Sequence, residues 1–438
     1  MRKLASFALP FGVGIFLSAY LLPRLVQLAG AAVCALIWVV YLRRWRRQRV
    51  DKRLRPVLYT AGLSIALLWS WGYDMRTVYP AEQLAGTEET FVFQAADWPE
   101  TGTYSVSVEA RLLNQDGPDL GVLLYFYPGD EKIPDIKPGD TLTCTAQLRL
   151  ADPVGGEEIG YYYSKGIFLT ANAAEIPTVT PAENVPLKYW PALWRRAMGE
   201  CIGELFSDET AGLALALTTG DKSGLTGSFY TALKRCGLAH VVAVSGMHMS
   251  MVVMLAAMLV RRRRRKMMAI VSIPLVLVFM ALTGFAPSVV RAGVMQILLL
   301  LGPALSREGD TVTSLSFALL LLLLQNPYAA MSVGLQLSFL SVAGILTITG
   351  WLNEKFFHRF PLKKGKTKPR RLYNSAVRFL VGCVTMSIGA IAFTTPLTVY
   401  YFGTVSLVSP LANLLTLWAV TVLFLLCLPA AALGGVLP

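Results

Sequence analysis

The stretch CGLAHVVAVSGMHMSMVVML, residues 236–255, holds two of the three histidines in a chain of 438 residues. It is apolar over a membrane-length run, yet a small-residue break at Ser245-Gly246 interrupts it, with polar side chains on both sides. Backbone groups without intrahelical partners, and ionisable side chains, are tolerated at membrane depth only where they face protein or a watery cavity. His240 and His248 flank the break, so a helix broken there presents both rings and free backbone groups near one depth. Glycines at helix crossings usually serve packing. Two histidines beside the break shift the reading towards function.

Working outward, 54% of the residues are hydrophobic and the mean hydropathy is +0.52, above the apolar share of an ordinary soluble domain. The expected fold class is a polytopic α-helical membrane protein. Its net charge of +13 hides a segregation: residues 80–186 carry 17 acidic and 5 basic residues, a net of −12, and the rest carries +25. The basic residues sit mainly in short loops such as RRWRRQRVDKRLR (43–55) and RRRRRK (261–266), the pattern that keeps a loop in the cytoplasm. The six cysteines have no metal-ligand spacing, and only Cys144 lies in 80–186, so that segment cannot close an internal disulfide.

Four segments follow from this reading. Residues 1–79 hold apolar runs at 4–22, 25–42 and 57–72, the first retained as a span and not cleaved as a signal peptide. Residues 80–186 switch to short β-rich runs, TFVFQA, TYSVSVEARLL, GVLLYFYP, DTLTCTAQLRL and GIFLTANAAEI. Turn signals separate them at Gln115-Asp116-Gly117-Pro118, Pro128-Gly129-Asp130 and Lys137-Pro138-Gly139-Asp140. Five or six strands in about a hundred residues predict a small extracytoplasmic barrel resembling the oligonucleotide-binding fold. Its acidity opposes binding to a phosphate backbone, so a structural or partner-docking role is favoured over strand capture. Residues 187–238 predict an interfacial helix over 189–206 and two short helices around Gly220-Asp221-Lys222. Residues 239–438 hold the central stretch, runs at 267–284, 290–305, 312–325 and 330–350, and two final runs at 379–402 and 405–434. Four crossings after residues 261–266 return the chain inside, where the loop 353–378 carries nine basic residues and one acid. The chain ends at Pro438 without a polar tail, the form of a fragment or a natural truncation.

The candidate site residues are the polar and breaker positions in these apolar runs: Asp221, Lys222, His240, Ser245, Gly246, His248, Arg291 and Gln336. Arg291 is the most expensive of them, at about 2.5–3.5 kcal/mol for a helix centre on translocon scales. It is expected to pair with Asp221 or to line an aqueous path. No HExxH, no metallo-hydrolase cluster and no P-loop is present, so no metal, cofactor or nucleotide is expected. Ser245 and His248 are spaced as a nucleophile and base, but no carboxylate follows to orient the ring.

GLAHVVAVSGMHMSMV resembles the signature of the ComEC family of competence proteins, and TTGDKSGL, TGFAPSVVRAGVM, NPYAAMSVGLQLSFLSVAGIL and TTPLTVYYFGTVSLVSPLANLL follow in family order. PGDTL and IGYYYSKGIFLTA resemble the family's external oligonucleotide-binding-fold domain. The resemblance implies a bacterial inner-membrane channel that brings single-stranded transforming DNA into the cytoplasm, its path lined by the eight residues above. It also implies an extracytoplasmic DNA receptor, a cytoplasmic helicase, translocase or single-strand-binding protein, and a homo-oligomeric assembly. Many family members continue into a metallo-β-lactamase-like domain; the chain stops before one, so no nuclease activity is expected of these residues. An intramembrane enzyme built on His240 and His248, and a small-solute transporter with an accessory β domain, are the rival readings.

Overall fold

The computed structural model describes residues 3–48, 54–102, 104–113, 119–129, 132–151, 160–260, 265–304, 310–362 and 368–434. The turn signals at 115–118 and at Asp130, and the arginines 261–264, lie outside the described residues. The chain forms two compact units, one of residues 1–194 with 307–332 and one of residues 195–306 with 333–438. It is a multi-pass membrane protein. Helices Lys3–Tyr20, Arg24–Arg47, Val333–Arg359, Lys368–Phe402 and Ser409–Gly434 are long and apolar enough to cross a bilayer.

In the first unit, helices Lys3–Tyr20 and Leu54–Arg76 approach closely at glycines. A methyl on Gly62 would sit 2.4 Å from the Phe7 carbonyl oxygen, and one on Gly14 2.7 Å from Ala66. Without a hydrophobic drive between helices in lipid, such small-residue contacts supply the packing. The Thr311–Gln325 run, expected from sequence as a crossing or, being short, a re-entrant segment, belongs to this unit. At 15 residues it is short for a span, and its Leu319 and Leu323 fill the hollow over Gly12 of the first helix.

The β domain is a closed barrel of five long strands: β1 (Glu88–Ala95), β2 (Val106–Leu112), β3 (Leu120–Phe126), β4 (Thr141–Leu150) and β5 (Ile167–Ala173). Their order is β1-β2-β3-β5-β4, and β4 pairs back onto β1. Only the β3–β5 pairing is parallel among these. This is the Greek-key barrel of the oligonucleotide-binding fold, as the spacing of runs predicts. Alternate residues point inwards, and Phe93, Leu112, Leu124, Phe126, Leu142 and Leu148 fill the interior. Cys144 is buried here too, and burial pushes its thiol up to about 11, so it serves as a packing residue.

A polar cluster ties the end of the Leu54–Arg76 helix into the first unit. Arg24 donates two hydrogen bonds to the Glu82 carboxylate at 2.7 and 2.6 Å, and its Nε lies 4.0 Å from the buried Asp74. The Tyr328 hydroxyl donates to Asp74 at 2.7 Å. Burial and the Asp74 charge hold the Tyr328 phenol well above the ordinary tyrosine range, so it remains a donor.

The second unit contains the expected pair of short helices, Asp208–Thr218 and Gly227–Arg235, on either side of the 220–222 break. The run at 189–206 is a helix over Trp190–Leu205, of which residues 190–194 are counted in the first unit. The central stretch is not one helix: a single turn over Ala239–Val242 precedes the break, and the long helix begins at Gly246 and covers 14 residues. Arg265–Leu282 and Pro287–Ala304 follow at 18 residues each.

Candidate functional site

The geometry of the central stretch is set upstream, at Gly237. Its φ of +72° is left-handed, and a methyl there would lie 2.7 Å from Ser409 and 2.9 Å from Ser406, so only glycine fits the turn. One helical turn, Ala239–Val242, follows, and the backbone extends at Ala243 and Ser245 before the helix Gly246–Leu259 begins. Ser245 is its N-cap, with His248 in the place that Glu or Gln takes in the usual capping box. The Ser245 amide donates to His248 Nδ1 at 3.2 Å, and Ser245 Oγ lies 3.3 Å from the same nitrogen. His248 is wholly buried, edge-on to Phe424 at 5.1 Å, and its Nε2 has no hydrogen-bond partner among the described residues. The ring closes a cap. Its Nδ1 already accepts the Ser245 amide, and among the described residues no hydrogen-bond partner orients the other nitrogen.

Arg291 reaches the same break from another helix. Gly284 and Phe285 both have positive φ, +67° and +54°, and turn the chain so that Pro287 opens the next helix, a position suited to its fixed φ. Ser288 Oγ donates to the Val244 carbonyl at 3.3 Å, which holds the start of this helix against the break. Arg291, one turn further on, is 8% exposed. Its guanidinium carbon lies 6.0 Å from the centre of the Phe339 ring. One terminal nitrogen would lie 3.6 Å from a methyl on Gly246. Among the described residues no carboxylate lies within ion-pair distance of it, and its Nε has no hydrogen-bond partner.

The structure therefore brings Ser245, Gly246, His248 and Arg291 together. The other candidates stand apart from them in environment. Asp221 does not pair with Arg291; it is exposed, and its carboxylate accepts the Ser223 amide at 2.9 Å in a local turn. Lys222 is also exposed, with its ammonium 5.9 Å from the Tyr230 ring centre. Their loop still abuts the break, because Gly220 lies against Val244. His240 is exposed and its Nδ1 lies 3.0 Å from the Gly237 carbonyl, so the two histidine rings do not bond each other. Gln336 is half-buried and accepts a long 3.5 Å bond from Tyr401, on the helix that also presents Phe339 to Arg291. Phe339 and Phe424 were not legible as site residues, since an aromatic in an apolar run carries no mark of what it will face. Among the described residues no group of three His, Cys, Asp or Glu side chains could hold a metal ion.

Residues 217–438, half of the chain, match the family model described as competence protein. The chain belongs to the competence protein family. ComE operon protein 3 of Bacillus subtilis (strain 168) is 27% identical over 184 residues, 41% of this chain. The match covers 23% of that relative, so this chain spans about a quarter of its length. No solved structure matches. All eight candidate residues fall inside the segment that marks the chain as a competence-family protein, whereas the barrel and the first three helices precede it.

Proposed function

We propose that this competence-family protein is the inner-membrane channel component that passes single-stranded transforming DNA into the cytoplasm. The observation that carries the reading is Arg291: a buried cation with no carboxylate partner among the described residues, set against the N-terminus of a broken helix. Half-helix N-termini at membrane depth favour anions through the positive end of the helix dipole, as in transporter sites. A strand of phosphates is the anion that competence supplies. Lys222 and Asp221, exposed on the loop beside the break, would tune entry so that the passage attracts phosphate without trapping it. Gln336 and His240 complete the set of path residues.

The β barrel is placed outside the cytoplasm in this reading, because the basic loop before it holds residues 43–55 inside. Its acidic surface suits docking to an extracytoplasmic DNA receptor better than gripping the strand. A cytoplasmic helicase, translocase or single-strand-binding protein would draw the strand inward, and a second copy of the chain would complete the passage. The reading assigns no bond-breaking step to this chain.

The test is DNA uptake in cells carrying Arg291→Ala, with membrane abundance checked by immunoblot. Loss of uptake at normal abundance is expected. Unchanged uptake at normal abundance would remove Arg291 from the path and the reading with it.

A further inference from the structure

The first turn of the Gly246–Leu259 helix is incompletely satisfied. The capping box uses the amides of Ser245 and His248, and those of Gly246 and Met247 have no intrahelical acceptor. A helix of 14 residues directs the positive end of its dipole to that turn, and the start of the Pro287–Ala304 helix is bonded beside it through Ser288 and Val244. Arg291 is the second and independent observation. It is more than nine-tenths buried, its Nε has no hydrogen-bond partner among the described residues, and a terminal nitrogen lies 3.6 Å from where a methyl on Gly246 would stand. A guanidinium taken out of water without a counter-charge is unfavourable unless an anion completes it. Its planar donor fork matches two oxygens of one phosphate.

We infer that Arg291 and the free amides of Gly246 and Met247 form a seat for one phosphate group at a time. Gly246 is the gap in this seat. A methyl there meets Ala292 at 3.4 Å and the Arg291 nitrogen at 3.6 Å, ordinary contacts on a helical backbone that does not need glycine. The side chain would fit, and it would stand against the guanidinium on which the seat depends. Gly246 is thus required by the ligand and not by the fold. That the phosphate belongs to a passing strand rests on the transport reading above. A lipid headgroup carries the same chemistry, and so does free phosphate.

The full chain, reconstituted in phosphatidylcholine nanodiscs, is tested by equilibrium dialysis with radiolabelled orthophosphate and by anisotropy with a fluorescent single-stranded oligothymidylate. Gly246→Ala and Arg291→Ala are expected to weaken orthophosphate binding about tenfold or more, the scale of one charge-assisted bond, at an unchanged melting temperature. Arg291→Lys should fall between them and the parent, because a point charge keeps attraction but loses the fork. Wild-type orthophosphate affinity in both Gly246→Ala and Arg291→Ala overturns the seat. Arg291-dependent orthophosphate binding that the strand does not compete for supports the seat and sinks the strand as its occupant. Loss of orthophosphate binding in phosphatidylglycerol nanodiscs supports the seat and assigns it to a lipid headgroup.

Discussion

Two arginines, one in each unit, are held in opposite ways. Arg24 of the first unit is fork-bonded to Glu82 and stands beside Asp74, which in turn accepts the Tyr328 hydroxyl. Arg291 of the second unit is more deeply buried and faces Phe339 and a helix N-terminus, with no carboxylate in reach among the described residues. Charges taken from water need partners. Where the chain itself supplies them, as around Arg24, the cluster holds elements together. Around Arg291, in the proposed seat, a transient phosphate would take that place.

The largest expected effect is on Arg291. Arg291→Met should bring DNA uptake to background while the melting temperature of the purified chain stays level or rises, since an apolar replacement for an unpaired buried charge is commonly neutral or stabilising. A fall in melting temperature as large as that of the next variant would erase the contrast. Asp74→Ala should cost about 1–3 kcal/mol, because it leaves the half-buried Tyr328 hydroxyl without its acceptor while Arg24 keeps its fork to Glu82. Urea unfolding followed by the barrel's circular dichroism measures this loss. Tyr328→Phe removes one hydrogen bond to a charged group and should cost about 2 kcal/mol by the same titration. Gly237→Ala should cost about 1–2 kcal/mol from its left-handed φ, with repacking against Ser406 and Ser409 in addition. Lys222→Ala is the smallest: no change in melting temperature, and reduced uptake that high salt renders equal to the parent, as expected of an exposed charge that steers and does not seat.

The barrel was legible because alternating runs and turn residues act locally, and all five runs became the five long strands. The break at Ser245-Gly246 was legible for a similar reason: a cap residue and a glycine mark where a helix can start. The pairing of Arg291 with Asp221 was not met. Opposite charges 70 positions apart have no local rule to join them, and Asp221 is held by the Ser223 amide in its own turn. The Arg24–Asp74–Tyr328 cluster went unread, because its members lie at the ends of three different apolar runs and none is unusual alone. The run at 312–325 was read as a crossing or a re-entrant segment from its composition and length, which do not say which helix it will pack on.

By itself the sequence determined the class of the protein, the alternation of apolar spans with basic loops, the barrel and the position of the break. These depend on hydrophobicity, charge and backbone preference, which act over a few residues. The tertiary structure decided which polar residues meet. It left the His240 and His248 rings unbonded to each other, left Asp221 exposed, and set Arg291 against Gly246 across 45 positions of chain. Such contacts depend on how packed helices cross, and helix packing follows the shapes of many side chains at once.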